Sequence, residues 1–225
     1  MISFKGKQHL KSVILMSVKW YLAYALSYRD IEELLSERGL HVDHTTVHRW
    51  VVEYSPQLTT SFKKKKKSVG TSWRMDETYI KVKGIWMHLY RAVDKEGNTI
   101  DFYFVKNRTK KDALKFFKKA IKIAGKPDKV TIDKSGSNTA ALNEINKNLS
   151  DNEKIEIRQI KYLNNIIEQD HRFIKKITKP ILEFKSIKSV MATLSGIELH
   201  HMLRKDQHVN SANQSIFKQF YDLAA

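Results

Sequence analysis

Three acidic residues in distinct sequence contexts could together hold divalent metal ions. Asp76 lies in the sequence RMDETY, Asp133 in VTIDK and Glu168 in NNIIEQDHR. Carboxylate oxygens suit Mg²⁺ and Mn²⁺ as ligands. Two such ions, about 3.5 to 4 Å apart, activate the attacking oxygen and stabilise the leaving oxygen of a phosphodiester without a covalent enzyme intermediate. We therefore predict that the three acids form a metal site for cutting DNA.

Each of these acids is predicted to lie on a different element. Asp76 falls in a strand with one apolar face, where an unpaired carboxylate is costly unless a cation neutralises it. Asp133 ends a buried strand, which is the usual place for ligands beside parallel strands. Glu168 lies on a helix, where His171 and Lys175 are spaced to share its face. These cationic neighbours could hold phosphates beside the metal ions.

Taken singly, an acid is more often solvated or paired with lysine than catalytic, and the chain has 24 Asp and Glu residues. Other candidate sites are weaker. His200 and His201 would lie on different faces of a helix, which disfavours a shared metal ion. Asp94 and Asp101 are expected to be a turn acid and an edge-strand acid. No Walker-type phosphate loop and no Ser/His/Asp arrangement stands out in the sequence.

The composition points to a polyanionic partner. With 41 Lys and Arg against 24 Asp and Glu, the 225-residue chain carries a formal charge of +17, which is typical of proteins that bind nucleic acid or an acidic membrane surface. The alternative is a basic surface that is only solvated. The absence of cysteine excludes disulfides and thiolate metal sites and fits a reducing cytoplasm. Lysines before an apolar run at 13–26 superficially resemble a signal peptide, but Lys19 interrupts a run that is too short to span a bilayer. We expect a soluble, cytoplasmic, nucleoid-associated protein with no membrane partner.

Residues 1–60 are predicted to form a helix-turn-helix domain, because apolar residues recur at helical spacing in three segments. The predicted boundaries are an N-cap at Ser27 supported by Asp30, an end at Gly39, an N-cap at Asp43 and an end before Pro56. The polar face of the third helix carries side chains that can reach phosphates or base edges: His44, Thr45, His48 and Arg49. The alternative is a common three-helix packing unit with a solvated polar face.

The run of five lysines from Lys63 to Lys67 marks a basic linker, which we place at residues 61–71. Successive like charges repel one another and resist burial. Such runs are often only solvated, but Lys63, Lys64 and Lys65 are favoured here as contacts to the DNA backbone.

The following segment, 72–205, is predicted to be a mixed α/β domain with a five-stranded mixed sheet flanked by helices. The sequence period changes to two at residue 72, and later segments return to helical spacing. The predicted strands are 72–82, 85–93, 99–105, 129–132 and 155–160, and the predicted helices are 109–124, 138–149, 164–178 and 180–204. The last helix is expected to bury Phe184, Ile187, Met191, Leu194 and Ile197. This order is similar to the ribonuclease H-like, or integrase-type, fold, and residues 206–225 are expected to be a C-terminal tail.

The ordered set of motifs resembles the insertion-sequence-six family of bacterial DDE transposases. The matching stretches are LSYRDI at 26–31, TTVHRWV at 45–51, WRMDETYIKVKG at 73–84, LYRAVD at 89–94, DKSG at 133–136 and KYLNNIIEQDHR at 161–172. The 34 residues between Asp133 and Glu168 are similar to the family's signature interval. Lys175, seven residues beyond Glu168, matches a downstream basic position of the family.

The resemblance implies that Asp76, Asp133 and Glu168 are catalytic and bind Mg²⁺ or Mn²⁺, and that Lys175 lies near the DNA. His171 and Arg172, beside Glu168 in the same motif, are further candidate DNA contacts. It further implies that residues 10–56 bind terminal inverted repeats of double-stranded DNA. The implied reaction exposes a 3′-hydroxyl at each element end by metal-assisted hydrolysis and joins it to target DNA in a replicative cointegrate. Assembly on two ends implies a homodimer or a larger oligomer.

Two other functions remain open from the sequence. A helix-turn-helix regulator on an inactive scaffold would bind DNA without metal-dependent nicking. A ribonuclease H-like nuclease would hydrolyse DNA without strand transfer.

Overall fold

The computed structural model describes residues 2–211 and 214–225, and the chain forms two compact units. The first unit combines Met1–Lys67 with Phe173–Ala225, and the second is Ser68–Arg172. The segment predicted as one catalytic domain, 72–205, therefore contributes to both units. Among the described residues, no helix combines the length and apolar character needed to cross a membrane.

The first unit is helical. Its complete helices are α1 (Lys11–Ala23), α2 (Tyr28–Ser36), α3 (His44–Lys63), α7 (Ile187–Arg204) and α8 (Ile216–Asp222). The predicted caps are confirmed: the Ser27 hydroxyl accepts from the Asp30 N–H at 3.1 Å while the Asp30 carboxylate accepts from the Ser27 N–H at 2.7 Å. Asp43 begins α3 by accepting from the Thr45 N–H at 2.8 Å.

Helix α3 continues through Pro56 to Lys63, so the prediction that it ends before the proline is wrong. A proline inside a helix removes one backbone hydrogen bond. Leu58 and Phe62, both fully buried, extend the apolar stripe past this point, and their burial outweighs that loss. The lysine run is also held more firmly than a free linker, because the Lys67 N–H donates to the Gln207 carbonyl at 2.9 Å.

Helix α7 begins at Ile187, seven residues later than predicted. Leu182 has a φ of 60°, which interrupts a right-handed helix, and Ser186 provides the N-cap by accepting from the Ser189 N–H at 3.0 Å. Ile187 and Met191, predicted to be in the core, are 45% and 54% exposed, so that prediction is wrong for these two positions. The buried apolar positions of α7 include Val190, Leu194, Ile197, Leu199 and Met202. The predicted C-terminal tail also contains a helix, α8.

The second unit contains one five-stranded sheet of order β3-β2-β1-β4-β5. The strands are β1 (Ser72–Val82), β2 (Ile85–Asp94), β3 (Thr99–Val105), β4 (Lys129–Thr131) and β5 (Glu156–Arg158). The first three are antiparallel neighbours, and β4 runs parallel to both β1 and β5. This confirms the predicted mixed sheet and places β1 at its centre.

Three helices accompany this sheet along the chain: α4 (Lys110–Ala124), α5 (Gly136–Asn146) and α6 (Asn165–Thr178), of which the second unit includes the part up to Arg172. The apolar core of the unit is formed by Trp73, Met75, Tyr90, Phe116, Phe117, Val130, Ile132 and Leu142 with their neighbours. Asp94 is confirmed as a turn acid, because it accepts from the N–H groups of Glu96 and Asn98. Asp101 on β3 pairs with Lys119 at 2.8 Å.

Candidate active site

Asp76 and Asp133 meet beside the central strand of the sheet. Arg74 on β1 is in parallel register with Thr131 on β4, and each acid lies two residues further along its chain. The two carboxylates are therefore level with each other at the end of β4. Carboxylate oxygens of Asp76, Glu77 and Asp133 lie within 4.8 Å of one another. The fold thus brings together two of the three predicted metal ligands.

Glu77 is the acid that the sequence reasoning missed. Alternation along a strand predicts that it points away from the face of Asp76, although it stands in the same RMDETY motif. Its side chain is only 5% exposed, and its Oε1 accepts from Nδ2 of Asn138 at 2.9 Å. Because Asn138 is itself buried on α5, Glu77 is held in place at the edge of the acidic cluster.

Glu168 lies in the first turn of α6 and is exposed. It does not form, with Asp76 and Asp133, a set of ligand oxygens within 4.8 Å of one another. The negative charge of Glu168 nevertheless acts on the carboxyl group of Asp76, because it is one of the charges that raise the pKa of that group. The third predicted ligand is therefore near the cluster without contacting both of its partners.

The carboxyl group of Asp76 has a strongly raised pKa. Burial raises its pKa to about 7, and the negative charges of Glu77, Asp133 and Glu168 act in the same direction. Burial also raises the pKa of Glu77, against the hydrogen bond from Asn138 and the charge of Arg108. Acids that repel one another in a partly dry site gain most from a shared cation.

The donor set fits a hard divalent cation. Asp76, Asp133 and the nearby Glu168 supply carboxylate oxygens, which Mg²⁺ and Mn²⁺ favour. Asp133 is oriented by the loop after β4, since the Ser135 N–H donates to its Oδ1 at 3.1 Å. Glu77 adds a fourth acid beside these three.

Arg108 is a second residue that the sequence did not single out. It precedes α4, and its Nη2 lies 3.1 Å from Oδ2 of Asp133 and 3.2 Å from Oε2 of Glu77. These contacts link the start of α4 to the acidic cluster. The cluster therefore contains a bound cationic side chain as well as four acids in or near it.

The predicted DNA-contact residues differ in exposure. On α3, Thr45 and Arg49 are exposed. His44 places Nδ1 2.9 Å from a Glu32 carboxylate oxygen, and the half-buried His48 ring packs edge-on against Tyr28. Only two of the four predicted recognition residues are thus exposed, and the Arg49 side chain donates to the Thr46 hydroxyl at 2.7 Å.

Of the basic residues predicted on α6, Arg172 and Lys175 are exposed, whereas His171 is 2% exposed. Burial thus separates His171 from the exposed Glu168 and Lys175, with which it was predicted to share a face. The side chain instead joins the inner face of α6, where Ile167 and Ile174 are fully buried. Lys63, Lys64 and Lys65 are exposed, as predicted.

Comparison with known proteins adds independent findings. Residues 70–207 match the profile of a family described as "DDE domain". The chain is 47% identical over 202 residues to the "Transposase for insertion sequence-like element IS431mec" of Staphylococcus aureus (strain Mu50 / ATCC 700699), covering 90% of this chain and 88% of that protein. The "Transposase for insertion sequence element IS257 in transposon Tn4003" of Staphylococcus aureus has the same identity and coverage. Among solved structures, the HTLV-2 integrase catalytic core domain in complex with magnesium (dimeric form) is 20% identical with a TM-score of 0.45, over 58% of this chain and 85% of that chain.

Proposed function

The chain belongs to the insertion-sequence-six family of DDE transposases, enzymes of the polynucleotidyl transferase class, and from this premise we propose a specific course for its reaction. The protein binds the terminal inverted repeats of an insertion sequence and exposes a 3′-hydroxyl at each end by hydrolysis. It then joins that hydroxyl to target DNA, which produces a replicative cointegrate.

The observation that carries this proposal is the convergence of Asp76 and Asp133 at the end of β4, with Glu168 close enough to raise the pKa of Asp76. In the proposed site, Asp76 and Asp133 hold the cation between β1 and the loop after β4. Glu168 closes the site from α6. Mg²⁺ or Mn²⁺, when bound, would stabilise negative charge on the attacking and leaving oxygens of the phosphodiester.

Binding to DNA is proposed to use both basic charge and the helix-turn-helix. Thr45 and Arg49, exposed on α3, contact base edges or phosphates in a major groove, and His44 and His48 support that helix through Glu32 and Tyr28. Backbone phosphates are held by the exposed cationic side chains of Lys63, Lys64, Lys65, Arg172 and Lys175. Because two element ends must be joined, a homodimer or larger assembly performs the reaction.

The proposal is tested with the amide variants Asp76→Asn, Asp133→Asn and Glu168→Gln, and with Asp151→Asn as a matched control on an acid whose side chain is 95% exposed. The substrate is a duplex carrying one end of the element. With Mg²⁺, each site variant should lose end cleavage on the order of 1,000-fold and retain end binding in a mobility-shift assay. The control should cleave like the parent protein.

The same assay separates the other two functions. Full cleavage by any of the three site variants would overturn the assignment of that acid. Sequence-specific binding without Mg²⁺-dependent nicking by the parent protein would favour a regulator. Nicking with no product joined to target DNA would favour a nuclease.

A further inference from the structure

A buried ion pair links strand β2 to helix α6 near the acidic cluster. Nη2 of Arg91 lies 2.7 Å from Oδ2 of Asp170, and the two side chains are 0% and 10% exposed. Charges removed from water are costly unless they are paired with good geometry. The fold therefore holds these two side chains to one arrangement.

Arg91 on β2 is the cross-strand neighbour of Asp76 on β1. The two residues are directly opposite each other in the antiparallel register of β1 and β2. Opposed residues in such a pair project from the same face of a sheet. The ion pair of Asp170 with Arg91 therefore holds α6 against the face of the sheet that carries Asp76. The short helical turn Lys161–Asn164, which precedes α6, also contacts β1.

Asp170 in turn fixes which way α6 is rotated. The helix buries Ile167, His171 and Ile174, and Asp170 lies on that same face by its spacing. Apolar side chains can exchange places in a core with little specificity, whereas a buried charge accepts only its partner. A shift of α6 by one residue would rotate Glu168 by about 100°.

We propose that Arg91 and Asp170 are positioning residues, which set the register of α6 so that Glu168 faces the metal site beside Asp76. The inference rests on the proposed function, since it takes Glu168 as a metal ligand. It also assigns a role to the motif LYRAVD, which contains Arg91 and none of the three acids, and to Asp170 in the motif that carries Glu168.

The proposal is tested by removing both charges together. Removing one partner would leave an unpaired buried charge and risks unfolding, whereas a double replacement by apolar residues of similar volume is often tolerated. The double variant Arg91→Met/Asp170→Leu should stay folded by circular dichroism and bind Mn²⁺ about tenfold more weakly in calorimetric titration, because supporting residues around metal ligands typically contribute 10 to 100-fold in affinity.

A matched control removes a different ion pair in the same unit. Asp101 on β3 is 2% exposed and pairs with Lys119 on α4. The double variant Asp101→Leu/Lys119→Met should therefore bind Mn²⁺ within about twofold of the parent affinity. A tenfold loss in this control as well would mean that any loosening of the unit weakens the site, and would overturn the positioning role.

A thermodynamic cycle with Glu168→Gln distinguishes positioning from general support. If the pair acts through Glu168, this substitution lowers Mn²⁺ affinity in the parent protein but changes it less than about twofold in the Arg91→Met/Asp170→Leu background. Additive losses would overturn the positioning role and leave the proposed function standing. An unchanged affinity for Glu168→Gln in the parent protein would instead refute Glu168 as a ligand, and with it the positioning role, while the cleavage assay decides the proposed function separately.

Discussion

Nη2 of Arg108 lies 3.1 Å from Oδ2 of Asp133, one of the carboxylates proposed to bind the metal ion. The same guanidinium also contacts Glu77. If Asp133 also binds a metal ion, its carboxylate would face two positive groups: the ion and the Arg108 guanidinium. Arg108 and the ion are therefore expected to compete for it.

Replacing Arg108 by Gln should strengthen metal binding. We expect Mn²⁺ affinity to rise about fivefold, which corresponds to roughly 1 kcal/mol, because a competing cation is removed. Without metal, the variant should lose about 1 kcal/mol of unfolding free energy, because Glu77 and Asp133 then repel each other without compensation. Calorimetric titration and urea denaturation measure the two quantities.

Lys106→Gln provides the control for Arg108. Lys106 is exposed on the same loop, so its replacement removes an equal charge from the neighbourhood and should leave Mn²⁺ affinity nearly unchanged. Weaker binding by Arg108→Gln would show that the guanidinium supports the metal site instead of competing with it.

The pKa of Asp76 predicts a pH-dependent stability. Its folded-state value of about 7 lies above the ordinary value of 3.8. Ionising this carboxyl therefore opposes folding, and the metal-free protein should lose stability as the pH rises from about 4 to about 7. Asp76→Asn removes that loss. In the presence of EDTA the melting temperature of this variant should match the parent at pH 4 and exceed it by roughly 10 °C at pH 8, because the raised pKa corresponds to about 4 kcal/mol.

Metal binding should show the matching pH dependence, since Mn²⁺ must displace the proton from Asp76. As the pH rises towards 7, the apparent dissociation constant for Mn²⁺ should fall by nearly tenfold for each pH unit. Above pH 7 it should level off. Burial, together with the negative charges of Glu77, Asp133 and Glu168, sets the midpoint of this change. A flat titration between pH 5 and pH 7 would contradict the assignment of Asp76 as a ligand.

Gly196 on α7 is predicted to be intolerant of substitution. A Cβ atom there would lie 2.5 Å from Cδ2 of Leu22 and 2.9 Å from Cβ of Ser55, closer than packed atoms allow. Gly196→Ala should therefore destabilise the protein by about 1 to 3 kcal/mol, measured by urea denaturation.

The control is Gly136→Ala on α5, where an added Cβ meets nothing within 4 Å. It should be neutral or stabilise the protein by up to about 1 kcal/mol. Combining Gly196→Ala with Leu22→Val should recover part of the lost stability, because the shorter side chain yields space. Purely additive losses would show that the contact with Leu22 is not the cause.

Local features of the chain were predictable because neighbouring residues decide them. The alternation from residue 72 placed β1 and β3 at their observed limits, and the Ser27 and Asp30 side chains identified the start of α2. The backbone hydrogen bonds and side-chain directions of these elements depend on residues a few positions apart. The motif spacing likewise pointed to Asp76 and Asp133.

Other boundaries depend on distant contacts. Helix α3 passes Pro56 because Leu58 and Phe62 have a core to enter, and α7 starts late because Leu182 adopts a left-handed conformation. Neither the available core space nor that turn can be read from local periodicity. For the same reason the burial of His171 was not expected.

The sequence by itself determined which acids this protein contains, the order of those acids along the chain, and the family to which the chain belongs. The tertiary structure decided which groups share the site: Glu77 joins Asp76 and Asp133, Arg108 lies across two of these acids, and Asp170 fastens α6 to Arg91. Apart from the neighbours Asp76 and Glu77, these relationships join residues from 25 to 79 positions apart. They arise only when the sheet and its helices pack, because burial then makes each charge depend on the partner that packing brings to it.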